Sequence, residues 1–301
     1  MEIQEGYVPF GSYQTYFRVA NPHGKKTPLL ILHGGPGSTH NSYELLDDLA
    51  FKDDRPFVTY DQLGCGLSSM PDDHPELYCK ETWVKEIGNL RQALGLTQIH
   101  LMGHSWGGML SIIYLCDYQP EGVLSVNLSS TLSSASLWAT ETHRLIKYLP
   151  MYEQESLLEA EKTGDYSSLE FKIAYDDYMR MTVADISHDP QAPSCLTRKK
   201  NPGTVAYLTA WGPSEFTPLG NLKDYEYTDK LKTIRCPVLL TSGTLDESTP
   251  LQNKTMLEAI ATEKEWHLFN PSRHMTYYEK KDDYEAVLSD FLNRHEGKKV
   301  L

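Results

Sequence analysis

No stretch of this 301-residue chain approaches the roughly 18 to 20 consecutive apolar residues that a membrane-spanning helix needs. Cations are scarce: 28 Lys and Arg against 41 Asp and Glu leave a formal charge of −13. That excess argues against a nucleic-acid partner, because non-specific binding to phosphates depends on neutralising them with Lys and Arg. The acidity reads instead as a charge that keeps the protein soluble. Cysteines are few, at positions 65, 79, 116, 195 and 236, odd in number and without a Cys-x-x-Cys pair. This spacing excludes a disulfide framework or a zinc knuckle, and leaves reduced, small apolar residues. There is no His-Glu-x-x-His, no Gly-x-x-x-x-Gly-Lys-Ser/Thr, and no Gly-x-Gly-x-x-Gly after a strand. Zinc hydrolysis and nucleotide binding are therefore not expected, and neither a metal nor a cofactor is. Residues 1–7 are acidic and polar, unlike the basic, then apolar, opening of a secretory signal, so a cytoplasmic location is expected. The oligomeric state is left open.

What is present has the look of an ordinary globular chain, 40% apolar and 23% charged. Its length suits one large domain, or a core carrying an inserted lobe. Short apolar runs at 28–33, 56–61, 98–102 and 123–128 predict strands in the first half, and runs at 237–241 and 266–269 predict two more in the second. Between them, Trp83, Ile87, Leu90 and Leu94 recur at the period of an amphipathic helix. Further helices are predicted at 106–118, 251–260 and 284–292. Apolar strands joined by helices imply a mostly parallel sheet covered on both faces. The middle, rich in charges and aromatics, has no such strand runs. The expected organisation is a core of residues 1–132 and 225–301, with 133–224 inserted as a helical cap.

Three pieces carry chemistry. Gly103-His104-Ser105-Trp106-Gly107 fits the nucleophile elbow Gly-x-Ser-x-Gly, in which glycines on both sides let strand and helix approach and the hydroxyl project. With Gly and Ser each near 7% of residues, a chance match in such a chain has a probability of roughly 0.1, so the motif needs its context. The context is there: an apolar strand precedes it and an apolar helix follows. Second, His33-Gly34-Gly35-Pro36-Gly37 follows the first strand and can offer a backbone N–H to an oxyanion. The expected donors are the amides of Gly35 and Trp106. Third, Asp246 stands in the loop after the strand 237–241 and His274 in the loop after the last strand, giving the order Ser, Asp, His. Asp246 would hold the imidazole tautomer of His274, which would take and return the Ser105 proton. These features predict an α/β-hydrolase fold with a serine triad.

At this point the chain resembles the proline iminopeptidases, of the branch that includes the tricorn-associated aminopeptidase of archaea. The matching segments are His33-Gly34-Gly35-Pro36-Gly37, Tyr60-Asp61-Gln62-Leu63-Gly64-Cys65-Gly66-Leu67-Ser68, Gly103-His104-Ser105-Trp106-Gly107-Gly108, Gly212-Pro213-Ser214-Glu215-Phe216, Asp246-Glu247 and Ser272-Arg273-His274. The resemblance implies that Glu215 and Glu247 bind the free amino terminus of a short peptide, and that the cap supplies an apolar slot for a proline ring. A requirement for a protonated amine, of pKa near 8, one residue from the scissile carbonyl agrees with two such carboxylates. The candidates for the slot are Tyr148, Tyr152, Tyr175, Tyr178, Tyr207 and Trp211, and no role is read for His104. An esterase, lactonase or amino-acid amide hydrolase using the same triad is the alternative, and only the two glutamates discriminate against it. Serine at 105 excludes a dehalogenase or epoxide hydrolase, which would carry aspartate there.

Overall fold

The computed structural model describes residues 1–297, so the last four residues of the expected core, 298–301, lie outside the described residues. Eight strands form one sheet: β1 (Ile3–Phe10), β2 (Tyr13–Ala20), β3 (Leu29–Leu32), β4 (Phe57–Tyr60), β5 (Ile99–His104), β6 (Val123–Ser129), β7 (Val238–Gly243) and β8 (Lys264–Phe269). Their spatial order is β1-β2-β4-β3-β5-β6-β7-β8, with β2 antiparallel to both neighbours and every pair from β4 to β8 parallel. The helices are α1 (Asp47–Lys52), α2 (Lys80–Ala93), α3 (Trp106–Ile113), α4 (Ala135–Ile146), α5 (Met151–Thr163), α6 (Leu169–Thr182), α7 (Ser194–Thr197), α8 (Thr204–Ala210), α9 (Pro250–Ala259), α10 (Thr276–Glu279) and α11 (Lys281–Arg294).

Side chains alternate across a strand, and that alternation divides the core in two. Leu30, Leu32, Leu101 and Val126 pack with Trp83, Ile87 and Met109 on the face covered by α2, α3 and α9. Leu29, Ile31, Met102 and Leu239 pack with Leu49, Leu288 and Phe291 on the face covered by α1 and α11. Because both faces are covered, β3 to β7 read as continuous apolar runs, and these were legible. The hairpin β1–β2 was not expected. β1 is exposed over most of its length, so it carries no apolar period. β2 buries Thr15 and Arg18, which are accommodated by Glu86 and Asp47 respectively. The predicted helix 106–118 also differs: α3 ends at Ile113 and the chain widens into a π-helical turn, Tyr114–Tyr118.

Between β6 and β7 the chain runs through α4 to α8. The two ends of this insertion are tied by the Ser134–Glu226 bridge and by the Tyr227 amide donating to the Ser133 carbonyl at 2.7 Å. Ser134 and Ser168 cap α4 and α6 by accepting from the amides of Leu137 and Phe171. The insertion has its own apolar cluster, built on Leu157, Phe171, Ala174, Tyr178 and Phe216.

Beneath the loop after β4, the fully buried Glu86 accepts from the Thr15 hydroxyl at 2.5 Å and from the Leu63 amide. Burial pushes its carboxyl up to about 7 from the ordinary 4.5, against those bonds and with help from Asp61. A raised carboxyl favours the protonated fold, so its contribution is complete below pH 4.5 and is lost as pH rises through about 7. Denaturation followed from pH 5 to 8 should show a decline on the order of 3 kcal/mol from this group. Glu86→Gln should flatten that decline, and an unaltered slope would remove the assignment.

Candidate active site

Ser105 sits between β5 and α3 with φ 56° and ψ −124°, a left-handed conformation that costs a non-glycine residue about 1 to 3 kcal/mol. The crossing of strand and helix enforces it. A Cβ on Gly107 would lie 2.0 Å from the Leu32 carbonyl oxygen, and one on Gly103 would lie 2.2 Å from that of Gly107. Only glycine allows α3 to lie this close to β3 and β5. The turn is then pinned from both sides: the Ser105 amide donates to Ser129 at 2.9 Å, and its carbonyl accepts from the Thr131 hydroxyl at 2.7 Å.

Asp246 and His274 come together from the loops after β7 and β8. The His274 Nδ1–H donates to Asp246 Oδ1 at 2.7 Å, and the amides of Ser248 and Gly243 donate to the same carboxylate at 2.7 and 3.3 Å. A carboxylate so occupied orients the ring and leaves Nε2 free to accept a proton. The His274 loop is held from outside too. Its amide donates to Thr182 at 3.0 Å, and the Met275 amide donates to Val183, both at the end of α6. His104, whose ring is driven down to about 3 by burial and by the neighbouring His274, is neutral and donates from Nε2 to the His274 carbonyl at 3.1 Å.

Gly35 lines the cavity in front of Ser105. Trp106 is the first residue of α3, where a backbone N–H has no intrahelical acceptor. The loop bearing Gly35 is fixed by His33, which burial lowers to about 4 and so keeps neutral. Its Nδ1–H donates to the Gly34 carbonyl at 2.8 Å, and its Nε2 accepts from the Gln62 amide at 3.0 Å. The Gln62 side chain donates to the His33 carbonyl and accepts from the Trp106 indole at 2.8 Å. One glutamine thus links His33, at the start of the Gly35 loop, to the Trp106 side chain. Asp61 braces the same loop by accepting from the His40 amide and ring and from the Leu67 amide. Burial alone would raise its carboxyl, but the His40 contacts outweigh this and hold it below the usual range.

Ser105, His274, Glu215 and Glu247 share a cavity of about 330 Å³. Glu247 is buried, 3.9 Å from His274 Nε2, and its Oε2 has no donor among the described residues. Glu215 retains a little accessible surface, and its Oε2 accepts from the Tyr207 hydroxyl at 2.7 Å. Burial pushes both carboxyls up, Glu247 furthest, with the charges of Glu215 and Asp246 adding to its rise. Of the aromatics considered for the pocket, Tyr175 and Tyr207 line it, Tyr148 and Tyr152 face solvent, and Tyr178 and Trp211 are buried in packing. The sequence reading missed Gln62, His104 and Trp138. The Trp138 indole donates to the Glu215 carbonyl at 2.8 Å, and its ring lies 6.4 Å from that of His274. Each acts across a long sequence separation, so no local pattern marks it. Among the described residues no group of His, Cys, Asp or Glu could hold a metal ion, and no helix is long and apolar enough to cross a membrane.

The sheet order, the elbow and the Ser, Asp, His sequence define an α/β hydrolase, and the sequence model of that family, described as alpha/beta hydrolase fold, matches residues 27–281. Within that class the relatives are specific. The proline iminopeptidase of Lactobacillus helveticus is 55% identical over 296 residues, covering 98% of this chain and 100% of that protein. The crystal structure of the proline iminopeptidase of Mycobacterium smegmatis superposes with a TM-score of 0.85 at 30% identity, covering 97% and 98% of the two chains. That of VinJ gives 0.88 at 30% identity, over 97% and 99%. The chain belongs to the proline iminopeptidase family.

Trp106→Phe keeps the ring and deletes the indole N–H, leaving the Gln62 carbonyl oxygen buried without that donor. A stability loss of about 1 to 3 kcal/mol is expected, together with roughly tenfold slower labelling of Ser105 by a fluorophosphonate as the Gly35 loop loosens. Wild-type stability and labelling in this variant would dissolve the link between Gln62 and the oxyanion loop.

Proposed function

We propose that the chain is a serine aminopeptidase that releases an N-terminal residue, proline by preference, from short peptides. The observation that carries this reading is the pair Glu215 and Glu247 on the cavity that also holds Ser105 and His274, with a Glu247 oxygen buried and unpartnered. A neutral ester or lactone would leave the buried Glu247 oxygen without a donor and Glu215 with Tyr207 alone, which is costly. A protonated amine one residue from the reacting carbonyl answers both. The relatives known as proline iminopeptidases support the same reading.

In the proposed reaction, Ser105 attacks the carbonyl while His274 takes its proton and Asp246 steadies the imidazolium. The amides of Gly35 and Trp106 receive the oxyanion, a contribution of about 2.7 to 4 kcal/mol per donor in comparable sites. His274 then protonates the departing amine, and water releases the acyl residue from Ser105 by the reverse sequence. Tyr175, Met179 and Val183 offer the apolar wall against which a proline ring would rest. Residues 133–224 act in this proposal as a cap that carries Glu215 over the nucleophile. A cytoplasmic site of action belongs to the same proposal, supported by five free cysteines of the kind a reducing compartment maintains.

Ser105→Ala, His274→Ala and Asp246→Asn should each lose several orders of magnitude in turnover, and double variants should lose little more, because the three act as a unit. Additive losses would refute the triad.

The clamp has its own test. Glu215→Gln and Glu247→Gln should each lower kcat/KM for prolyl arylamide by roughly one to two decades, as should N-acetylation of the substrate, while a small neutral ester is spared. Since burial raises both carboxyls, falling pH discharges the clamp, so the acid limb for free amines should be steeper than for the ester. Equal loss of ester and peptide activity in both variants would favour the esterase alternative.

A further inference from the structure

The cavity is lined by charges of both signs, and the proposed amine clamp uses only the negative ones, Glu215 and Glu247. In a chain of formal charge −13, three cations stand in succession at Arg198, Lys199 and Lys200, on the segment of the insertion between α7 and α8. Their situations differ. Arg198 is spent on Glu44, its Nη1 donating at 2.9 Å. Lys199 is exposed to solvent. Lys200 is partly buried and lines the catalytic cavity with Gly35, Ser38 and Ser105. It also lines a second cavity of about 410 Å³, shared with Asn201, Gly66 and Leu67, and so belongs to the walls of both.

This segment is not a loose loop. The Gly203 amide donates to the Gly37 carbonyl at 2.8 Å, and the Asn201 carbonyl accepts from the Gly66 amide at 2.8 Å. The residues that follow Lys200 are thereby tied to both the loop of residues 35–37 and that of residues 64–66. Cys195 and Glu44 favour its charged form and Arg198 disfavours it, and among the described residues no hydrogen-bond partner holds its ammonium. Burial lowers its pKa and outweighs the favourable charge of Glu44, so the ammonium there lacks part of its water without a bonded anion to replace it.

We infer that Lys200 recognises the carboxylate of the departing residue, making it a specificity-determining residue on the leaving-group side. The inference rests on the aminopeptidase reading. With the ammonium of the first residue at Glu215 and Glu247 and its carbonyl at Ser105, the leaving residue must extend away from the glutamates, toward the cation. One extended residue spans about 3.3 to 3.6 Å, so in a dipeptide the terminal carboxylate stays close to the scissile bond. The overall negative charge of the protein would otherwise repel it. The substrate class favoured is thus a peptide short enough to present its free C-terminus inside the cavity.

The test compares kcat/KM for prolyl-glycine and prolyl-glycinamide, which differ only in that carboxylate, in wild type, Lys200→Met and Lys200→Arg. Prolyl arylamide, which has no carboxylate, reports the folded and acylating enzyme. Wild type should favour the acid over the amide. That ratio should fall roughly ten- to a hundredfold in Lys200→Met and be largely kept in Lys200→Arg. A wild-type ratio near one, or the same ratio in Lys200→Met, overturns the role of Lys200 while prolyl arylamide cleavage leaves the aminopeptidase reading standing. Failure of wild type to cut prolyl arylamide sinks that reading and this inference with it.

Discussion

The left-handed backbone at Ser105 is the constraint around which the rest is arranged. At φ 56° the residue would relax if strand and helix could separate, but Gly103 and Gly107 bring α3 against β3 and β5 with no room for a side chain at either position. The sheet supplies the rigidity, since β5 lies between β3 and β6 and its neighbours are buried on both faces. Strain of this kind persists only where the surroundings over-determine it. Here the price is met by the packed core, and the return is a hydroxyl that faces a cavity instead of a strand neighbour.

Electrostatics organise what surrounds that hydroxyl. Burial acts in opposite directions on its acids and bases. It lowers His33 and His104, so both rings are neutral and each can serve as a fixed hydrogen-bonding strut. It raises Glu215 and Glu247, so two carboxyls stand on the cavity with no Lys or Arg bonded to either among the described residues. Buried charges are tolerated when paired. In the function proposed above, this imbalance beside Ser105 is answered by a cationic ligand, and the Lys200 ammonium on the same cavity is answered by an anionic one.

The insertion is tied to the loops around Ser105 by hydrogen bonds of its own. The end of α6 holds the His274 loop through two backbone hydrogen bonds, Gly203 holds the Gly37 loop, and Glu141 of α4 accepts from Thr249 at 2.7 Å beside Glu247. These contacts tie the insertion that carries Glu215 to the loops bearing His274 and Gly37, although it packs around an apolar cluster of its own.

Local regularities wrote much of this protein legibly. Apolar runs marked β3 to β8, periodicity marked α2, α9 and α11, and glycine spacing marked the elbow, because each depends on neighbours a few residues apart. The order of Ser105, Asp246 and His274 was readable for the same reason, as each follows its own strand. The hairpin β1–β2 was not, since its polar residues are satisfied by Glu86 and Asp47, far along the chain. Nor was the work of Gln62, His104 and Trp138, or the choice of Tyr175 and Tyr207 over Tyr148 and Tyr152 at the cavity. Those depend on which distant segments meet, and only the packed tertiary structure decides that: a hydrogen bond across 44 residues between Trp106 and Gln62, or 170 between His104 and His274, leaves no periodic trace in the sequence that forms it.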